Sequence, residues 1–82
     1  MQLDQLKEDL FSIIQSENLI PIITEEELKA YVSLQLDNIN ELSHQNFKFQ
    51  YLNELKEEIE CHFDSLIIKK QITIIFNKIN LD

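Results

Sequence analysis

Apolar residues recur at intervals of three and four through most of this chain, and the clearest example lies in residues 46–66. An α-helix turns by about 100° per residue, so this spacing gathers the apolar side chains into one stripe along a helix. The opposite side of the same helix would carry carboxylates. The stripe, which we expect to be core, consists of Leu52, Leu55, Ile59, Phe63 and Leu66. Segments of this kind predict a chain that folds as packed helices.

An earlier segment, residues 2–16, has the same spacing and predicts a first helix. Its apolar stripe consists of Leu3, Leu6, Leu10, Ile13 and Ile14. Asn18 is the best available left-handed cap for this helix, and Pro21 indicates a break. The connector, residues 19–23, is unusually apolar for a loop, so we expect it to cross the core in an extended path.

The strongest local signal is Thr24 followed by three glutamates. Thr24 as N-cap and Glu27 three residues later form a capping box, while Ile23 and Leu28 form a hydrophobic staple around it. The glutamates also lie where the helix dipole favours negative charge, so capping accounts for all three. A second helix is therefore expected over residues 25–42. Its core face would consist of Leu28, Tyr31, Val32, Leu36, Ile39 and Leu42.

The turn before the third helix is polar, and Asn46 is a plausible N-cap for a helix over residues 47–64. Phe47 and Phe49 would lie in its first turn. We expect both rings to close one end of the core.

The last segment allows two interpretations. As a helix over residues 66–80 it has two apolar stripes, whereas residues 72–76 are rich enough in β-branched residues to form a strand. We favour the helix, because a lone strand would have nothing to pair with. The join to the third helix would be either a cap at Ser65 or one continuous helix. The fold class expected is thus all-α, a small antiparallel bundle of three to four helices covering approximately 2–16, 25–42, 47–64 and 66–80, with a strand as the alternative for the last segment.

Composition and charge limit the function. The chain has 82 residues, 44% of them apolar, which predicts one small folded domain over residues 1–82. Seven lysines, no arginine and fifteen acids give a net charge of −8. Direct binding to nucleic acid or to an anionic membrane is disfavoured, since both reward clustered positive charge. The charge favours a basic protein partner.

The charge is also unevenly distributed. Residues 1–64 hold fourteen acids and four lysines, a net of −10, whereas residues 65–82 hold three lysines and one acid, a net of +2. The C-terminal segment is therefore expected to present a different kind of surface from the rest of the chain.

Catalytic and metal-binding arrangements find little support. Cys61 and His62 are adjacent, so on a helix they point about 100° apart and cannot act together as nucleophile and base. Glu58, His62 and His44 are a conceivable metal set, but their spacing matches no metal motif. The chain has no glycine with which to build a phosphate loop. We therefore predict a protein that is not an enzyme and has no metal and no cofactor.

The expected location is cytoplasmic. A single cysteine cannot form an internal disulfide, and no apolar signal region follows a basic N-terminus. The longest apolar run, residues 72–76, is far too short to span a bilayer.

These observations lead to two hypotheses. In the first, the protein is a small acidic inhibitor of the antitoxin, immunity or anti-defence type, which covers a basic, nucleic-acid-binding surface of a target as a nucleic acid mimic. Its partner-binding residues would be Tyr51, Glu54, Glu57, Glu58, Glu60 and Asp64. In the alternative, it is a structural or regulatory homo-oligomer or subunit, such as a homodimer, assembled through apolar residues. That interface would contain Leu34, Ile67, Ile74 and Leu81.

Overall fold

The structure, a computed structural model, describes residues 2–16 and 23–79. These residues form four α-helices: α1 is Gln2–Ser16, α2 is Glu25–Asn40, α3 is Gln45–Glu60 and α4 is Leu66–Asn77. The described ranges contain no strand, so the strand interpretation of residues 72–76 is wrong and the expected helical bundle is confirmed. None of these helices combines the length and the apolar character needed to cross a bilayer.

Each helix packs against the next one in sequence, and α4 closes the ring by packing against α1. Neighbouring helices run in opposite directions. Tyr31, early in α2, bonds to Glu58, late in α3. Phe49, early in α3, shares a groove with Phe76, late in α4. The same inverse order relates α4 to α1, so the chain forms an antiparallel four-helix bundle.

The core is entirely apolar among the described residues. Burying a large aliphatic or aromatic side chain stabilises the fold by roughly 1.5–3 kcal/mol, so these stripes carry most of the favourable free energy. All four helices contribute to it: Leu3, Leu6, Leu10 and Ile14 from α1, Leu28, Val32, Leu36 and Ile39 from α2, Leu52, Leu55 and Ile59 from α3, and Ile68, Ile72 and Phe76 from α4, with Phe63 from the α3–α4 connection. Ile13, expected in the α1 stripe, is half-buried at its edge.

The start of α2 follows the predicted capping arrangement. Thr24 is the N-cap, and its hydroxyl oxygen accepts from the backbone N–H of Glu27 at 3.1 Å. The same hydroxyl donates to the Glu27 carboxylate at 2.9 Å, so the two side chains hold each other in place. Ile23 packs against the core from just before the cap, and Leu28 is buried just inside the helix. The cap and the staple together fix where α2 begins.

The start of α3 differs from the expectation. The helix begins at Gln45 with His44 in the N-cap position, because the His44 carbonyl already accepts from the N–H of Lys48 at 3.2 Å. Asn46 is therefore inside the first turn and is not the cap. Phe47 and Phe49 were expected to close the core, but each is 51% exposed. Phe47 lies off the row through Leu52 that sets the core side of α3, and Phe49, one turn before Leu52, lines an open groove beside Phe76 and is not enclosed by the core.

The end of α3 differs as well. The helix stops at Glu60, and the chain continues through a tight turn in which the N–H of Phe63 bonds to the Glu60 carbonyl at 3.1 Å. Ser65 then caps α4 by accepting from the N–H of Ile68 at 3.3 Å, so the capped join is confirmed and the continuous helix is wrong. Because the helix is interrupted, Leu66 no longer lies in line with the apolar stripe of α3. We expected Leu66 in the core, but it is 71% exposed.

Three of the helices end earlier than the apolar pattern suggested: α2 at residue 40 where 42 was expected, α3 at 60 where 64 was expected, and α4 at 77 where 80 was expected. Each ends in backbone bonds from residue i to residue i−3, and each C-cap residue keeps right-handed helical angles. No described residue has a positive φ. A chain without glycine closes these ends by tightening the last turn, and the helices are two to four residues shorter than expected. The expected cap at Asn18 and the extended path of residues 19–22 lie outside the described residues.

Candidate protein-binding face

One side of α3 carries two aromatic side chains followed by two acidic ones. Phe47, Tyr51, Glu54 and Glu58 follow one another at intervals of four, three and four residues, so they form a row along one side of the helix. All four side chains are exposed. The row lies beside the core stripe, on the flank of α3 that is turned toward α2.

A hydrogen bond between α2 and α3 shows that this row lies on the flank of α3 that faces α2. The Tyr31 hydroxyl of α2 donates to the Glu58 carboxylate. Leu34 lies one turn further along α2 and is 57% exposed. Because the two helices are antiparallel, Leu34 lies level with the middle of the α3 row, on the outer side of α2. We call these six exposed residues the α2–α3 face: Tyr31, Leu34, Phe47, Tyr51, Glu54 and Glu58.

The bond to Glu58 also changes the chemistry of Tyr31. Donating to a carboxylate, with smaller contributions from burial and from the carboxylate's charge, raises the pKa of Tyr31 to about 12. The hydroxyl therefore stays protonated through the physiological range. It remains a fixed donor that orients the Glu58 carboxylate on the surface.

The expected partner-binding residues do not all lie on this face. Tyr51, Glu54 and Glu58 do, and Glu57 is exposed on the outer side of α3, next to them. Glu60 is half-buried and is turned toward α4, where its Oε1 accepts from the Thr73 hydroxyl at 3.2 Å and lies 3.5 Å from the ammonium of Lys56. Glu60 is thus separated from the α2–α3 face. Asp64 is exposed in the connection to α4, beyond the end of the row.

The expected oligomer-interface residues also divide into two groups. Ile67 and Ile74 lie seven residues apart on the outer side of α4 and are 69% and 56% exposed. Leu34 is on α2, and α2 and α4 make no contact with each other within the described ranges. Leu34 therefore belongs to the other side of the bundle. Leu81 lies outside the described residues.

Positive charge is segregated from this face. Five of the seven lysines are half-buried, and the two exposed ones, Lys70 and Lys78, lie in α4 and at its C-cap. Lys7 and Lys29 both place their ammonium groups over the Phe11 ring, at 6.0 and 5.5 Å, and so belong to the α1–α2 side. The outer surface formed by α2 and α3 consequently presents carboxylates without an exposed lysine among its described residues.

A groove of about 310 Å³ lies at one end of the face, between the start of α2 and the end of α3. We call it the His62 groove; it is lined by Ile23, Leu28, Tyr31, Glu58, Ile59, Cys61 and His62. Most of its lining is apolar, and its polar groups are concentrated at the Tyr31–Glu58 pair and at His62. Nδ1 of His62 is buried and has no hydrogen-bond partner in the described part of the chain. Packing therefore holds this ring in place.

The two histidines lie too far apart to bind one metal ion together. His44 precedes α3 and His62 follows it, so a helix of 16 residues, about 24 Å long, separates the two imidazoles. Within residues 2–16 and 23–79, no three His, Cys, Asp or Glu side chains are placed so that they could share a metal. Cys61 is exposed and has no disulfide partner.

Sequence reasoning missed Tyr31 and Phe47 as members of a surface site, because it assigned both to the core. Tyr31 lies at the margin of the α2 apolar stripe, and its exposed fraction of 37% depends on how closely α3 packs beside it. The available signal was the position of Glu58 on a flank of α3. Without the order of helix packing, that flank could not be matched to α2.

Comparison with protein-family models, with curated proteins and with solved structures gives no match for this chain. A function is therefore inferred from the geometry of the α2–α3 face.

Proposed function

We propose that the protein is a small acidic binding protein that covers a basic surface of a target protein through the α2–α3 face. This makes it an inhibitor or neutraliser of the antitoxin, immunity or anti-defence type, and not an enzyme. The observation that carries the proposal is the combination on one face of exposed aromatic rings and unshielded carboxylates. Aromatic side chains are enriched at the centres of protein interfaces, where they anchor binding.

The charge supports a basic partner. Within the described residues, Glu54 and Glu57 have no ion pair or hydrogen bond that would neutralise them, and the exposed lysines are on α4. Such a field steers a cationic surface toward the face and sets its register. A target that binds nucleic acid would present such a cationic surface, so the α2–α3 face would act as a nucleic acid mimic.

The aromatic residues would supply the short-range part of binding. Tyr51 lies between Phe47 and Glu54 in the α3 row, and Leu34 is exposed at the same level on the outer side of α2. Two rings followed by two carboxylates along one row let a partner bury apolar area while its cations remain paired. Truncating Tyr51 to alanine should therefore lower the partner's residence time more than its association rate.

The test is capture of a basic partner from a cell extract by the immobilised protein, followed by measurement of affinity with the purified partner. The triple charge reversal Glu54, Glu57 and Glu58→Lys should abolish capture. A matched control reverses Glu8, Asp37 and Glu41, which changes the net charge equally and leaves the α3 row intact. Asp37 and Glu41 also lie at a helix C-terminus, as Glu57 and Glu58 do, so effects on the helix dipole are matched.

Two results would contradict the proposal. If the α3 triple variant still captures the partner, the α2–α3 face is not the binding site. Equal loss in both triple variants would show that only net charge matters. A selective loss in the α3 variant, together with weaker binding at higher salt, supports the proposed face.

A second candidate function rests on α4. Leu66, Ile67 and Ile74 are all more than half exposed, which is an unusual concentration of apolar surface on one 12-residue helix. A homo-oligomer assembled through this helix would bury them. Light scattering that shows a dimer persisting in high salt, and lost in Ile67→Asp, would favour this function over the first.

A further inference from the structure

We propose that the His62 groove binds an arginine side chain of the basic partner. This inference deepens the proposed function and rests on it. The groove adds to the α2–α3 face a specific pocket at the end where α2 begins and α3 stops, and it selects for one type of cation.

The shape and the lining of the groove suit a side chain that is apolar along its stem and cationic at its tip. The half-buried Ile23 provides apolar contact for methylene groups, and the almost fully buried Leu28 and Ile59 form the floor of the groove. The Glu58 carboxylate at the rim would pair with the charged end. Its negative charge has no lysine beside it in the groove lining, so an incoming cation would meet no competitor.

The groups at the rim favour arginine over lysine. A guanidinium group is planar, stacks on aromatic rings and donates to a carboxylate through two parallel N–H groups. The groove offers a ring in Tyr31 and a carboxylate in Glu58, and the hydrogen bond between them fixes their relative position. A carboxylate that accepts one bond from tyrosine keeps lone pairs for further donors. An ammonium group could use the carboxylate but would gain less from the ring.

The proposal can be tested without knowing the partner, by titrating the isotope-labelled protein with acetyl-Gly-Arg-Gly-amide and following backbone amide signals by NMR. Twin peptides with lysine or norleucine in place of arginine are the matched probes. The arginine peptide should shift the signals of Ile23, Cys61 and His62. Its affinity should exceed that of the lysine peptide by about threefold or more, because only the guanidinium combines stacking with a forked hydrogen bond.

Variants at the rim test the assigned contacts. Glu58→Gln should weaken the arginine peptide about tenfold, the usual effect of losing a charge-assisted hydrogen bond. Glu8→Gln, on α1 and outside the α2–α3 face, should leave the affinity unchanged. Tyr31→Phe keeps the ring but loses the bond that positions the Glu58 carboxylate, so it should bind less well than the parent and better than Tyr31→Ala. All these positions are exposed, and circular dichroism would verify that each variant is folded.

Several results would overturn the assignment: equal binding of the arginine, lysine and norleucine peptides, signal shifts that map away from the groove, no shift at all, or an unchanged affinity in Glu58→Gln. The outcome is separable from that of the proposed function. If the arginine peptide fails while the α3 triple reversal still abolishes partner capture, only the groove proposal falls. If the peptide binds in the groove while capture survives the reversal, the proposed function falls.

Discussion

Replacing Glu58 by glutamine should lower the pKa of Tyr31 from about 12 to within about one unit of the ordinary value of 10.0. The largest cause of the raised pKa is the hydrogen bond to the Glu58 carboxylate, and the negative charge of Glu58 acts in the same direction. Glutamine removes the charge and is a weaker acceptor, so only the contribution from burial is kept in full.

The titration can be followed with a single reporter. The chain has two tyrosines and no tryptophan, so in a Tyr51→Phe background the ultraviolet absorbance of tyrosinate reports Tyr31 alone. Helicity measured in the same titration shows that the protein remains folded. Glu54→Gln, on the same row of α3, serves as the control and should leave the pKa of Tyr31 near 12.

The shifted pKa also predicts how stability depends on pH. Above about pH 10 the unfolded chain releases the Tyr31 proton while the folded chain keeps it, so the free energy of unfolding falls as the pH rises from about 10 to 12. The contribution is complete below pH 10. Because Tyr31 is more than a third exposed, solvent screening limits it to about 0.5 kcal/mol. A pKa of Tyr31 near 10 in the parent protein, or one that stays near 12 in Glu58→Gln, would refute the reasoning.

Three further predictions concern the fold and can be checked by urea denaturation. Thr24→Ala and Ser65→Ala should each lower the free energy of unfolding by about 1 kcal/mol through loss of a side-chain cap, and no effect would mean that other groups satisfy these N–H donors. Ile72→Ala should cost about 2–5 kcal/mol because the side chain is fully buried, whereas Ile74→Ala, two residues later, should cost about 0.5 kcal/mol or less. Leu66→Ala should also cost about 0.5 kcal/mol or less, and a core-sized loss would show that α3 continues through residue 66.

Hydrophobic periodicity and capping chemistry were sufficient to predict the four helices. The α2 signal was strong because Thr24, Glu27 and the staple around them are local, and local interactions are visible in sequence. The row through Leu52 and Ile59 was equally clear, since any neighbouring helix would have to cover it. These features do not depend on how the helices are arranged.

The end of α3 could not be predicted from the same pattern. Ile59, Phe63 and Leu66 keep helical spacing across the point where the helix stops. The tight turn after Glu60 still directs Phe63 into the core, so the pattern holds for one more residue and then fails at Leu66. Apolar spacing predicts which residues are buried, but it does not predict the backbone path that buries them.

The binding face could be predicted only in part. Tyr51, Glu54 and Glu58 share a side of α3 through local geometry, so wheel analysis found them together. Tyr31 and Leu34 join them only because α2 packs on that flank, which is a tertiary fact. Glu60, which we expected among the partner-binding residues, lies apart from this row, because its contact with Thr73 is on the α4 side, and that contact also depends on packing.

The α3 acids are proposed to favour binding but are not expected to stabilise the helix. Mutating them therefore tests binding separately from the stability of the fold. Glu54, Glu57 and Glu58 are three and four residues apart and lie in the C-terminal half of α3, so they repel one another and two of them oppose the helix dipole. Three lysines at these positions would repel one another as the glutamates do and could not accept the Tyr31 bond, but they would favour the helix dipole and lower the net negative charge. The reversal should therefore leave the stability close to that of the parent. If these carboxylates were only a solvated surface, capture would also be unchanged. Loss of capture in a variant of undiminished stability would instead show that the acids are needed for binding.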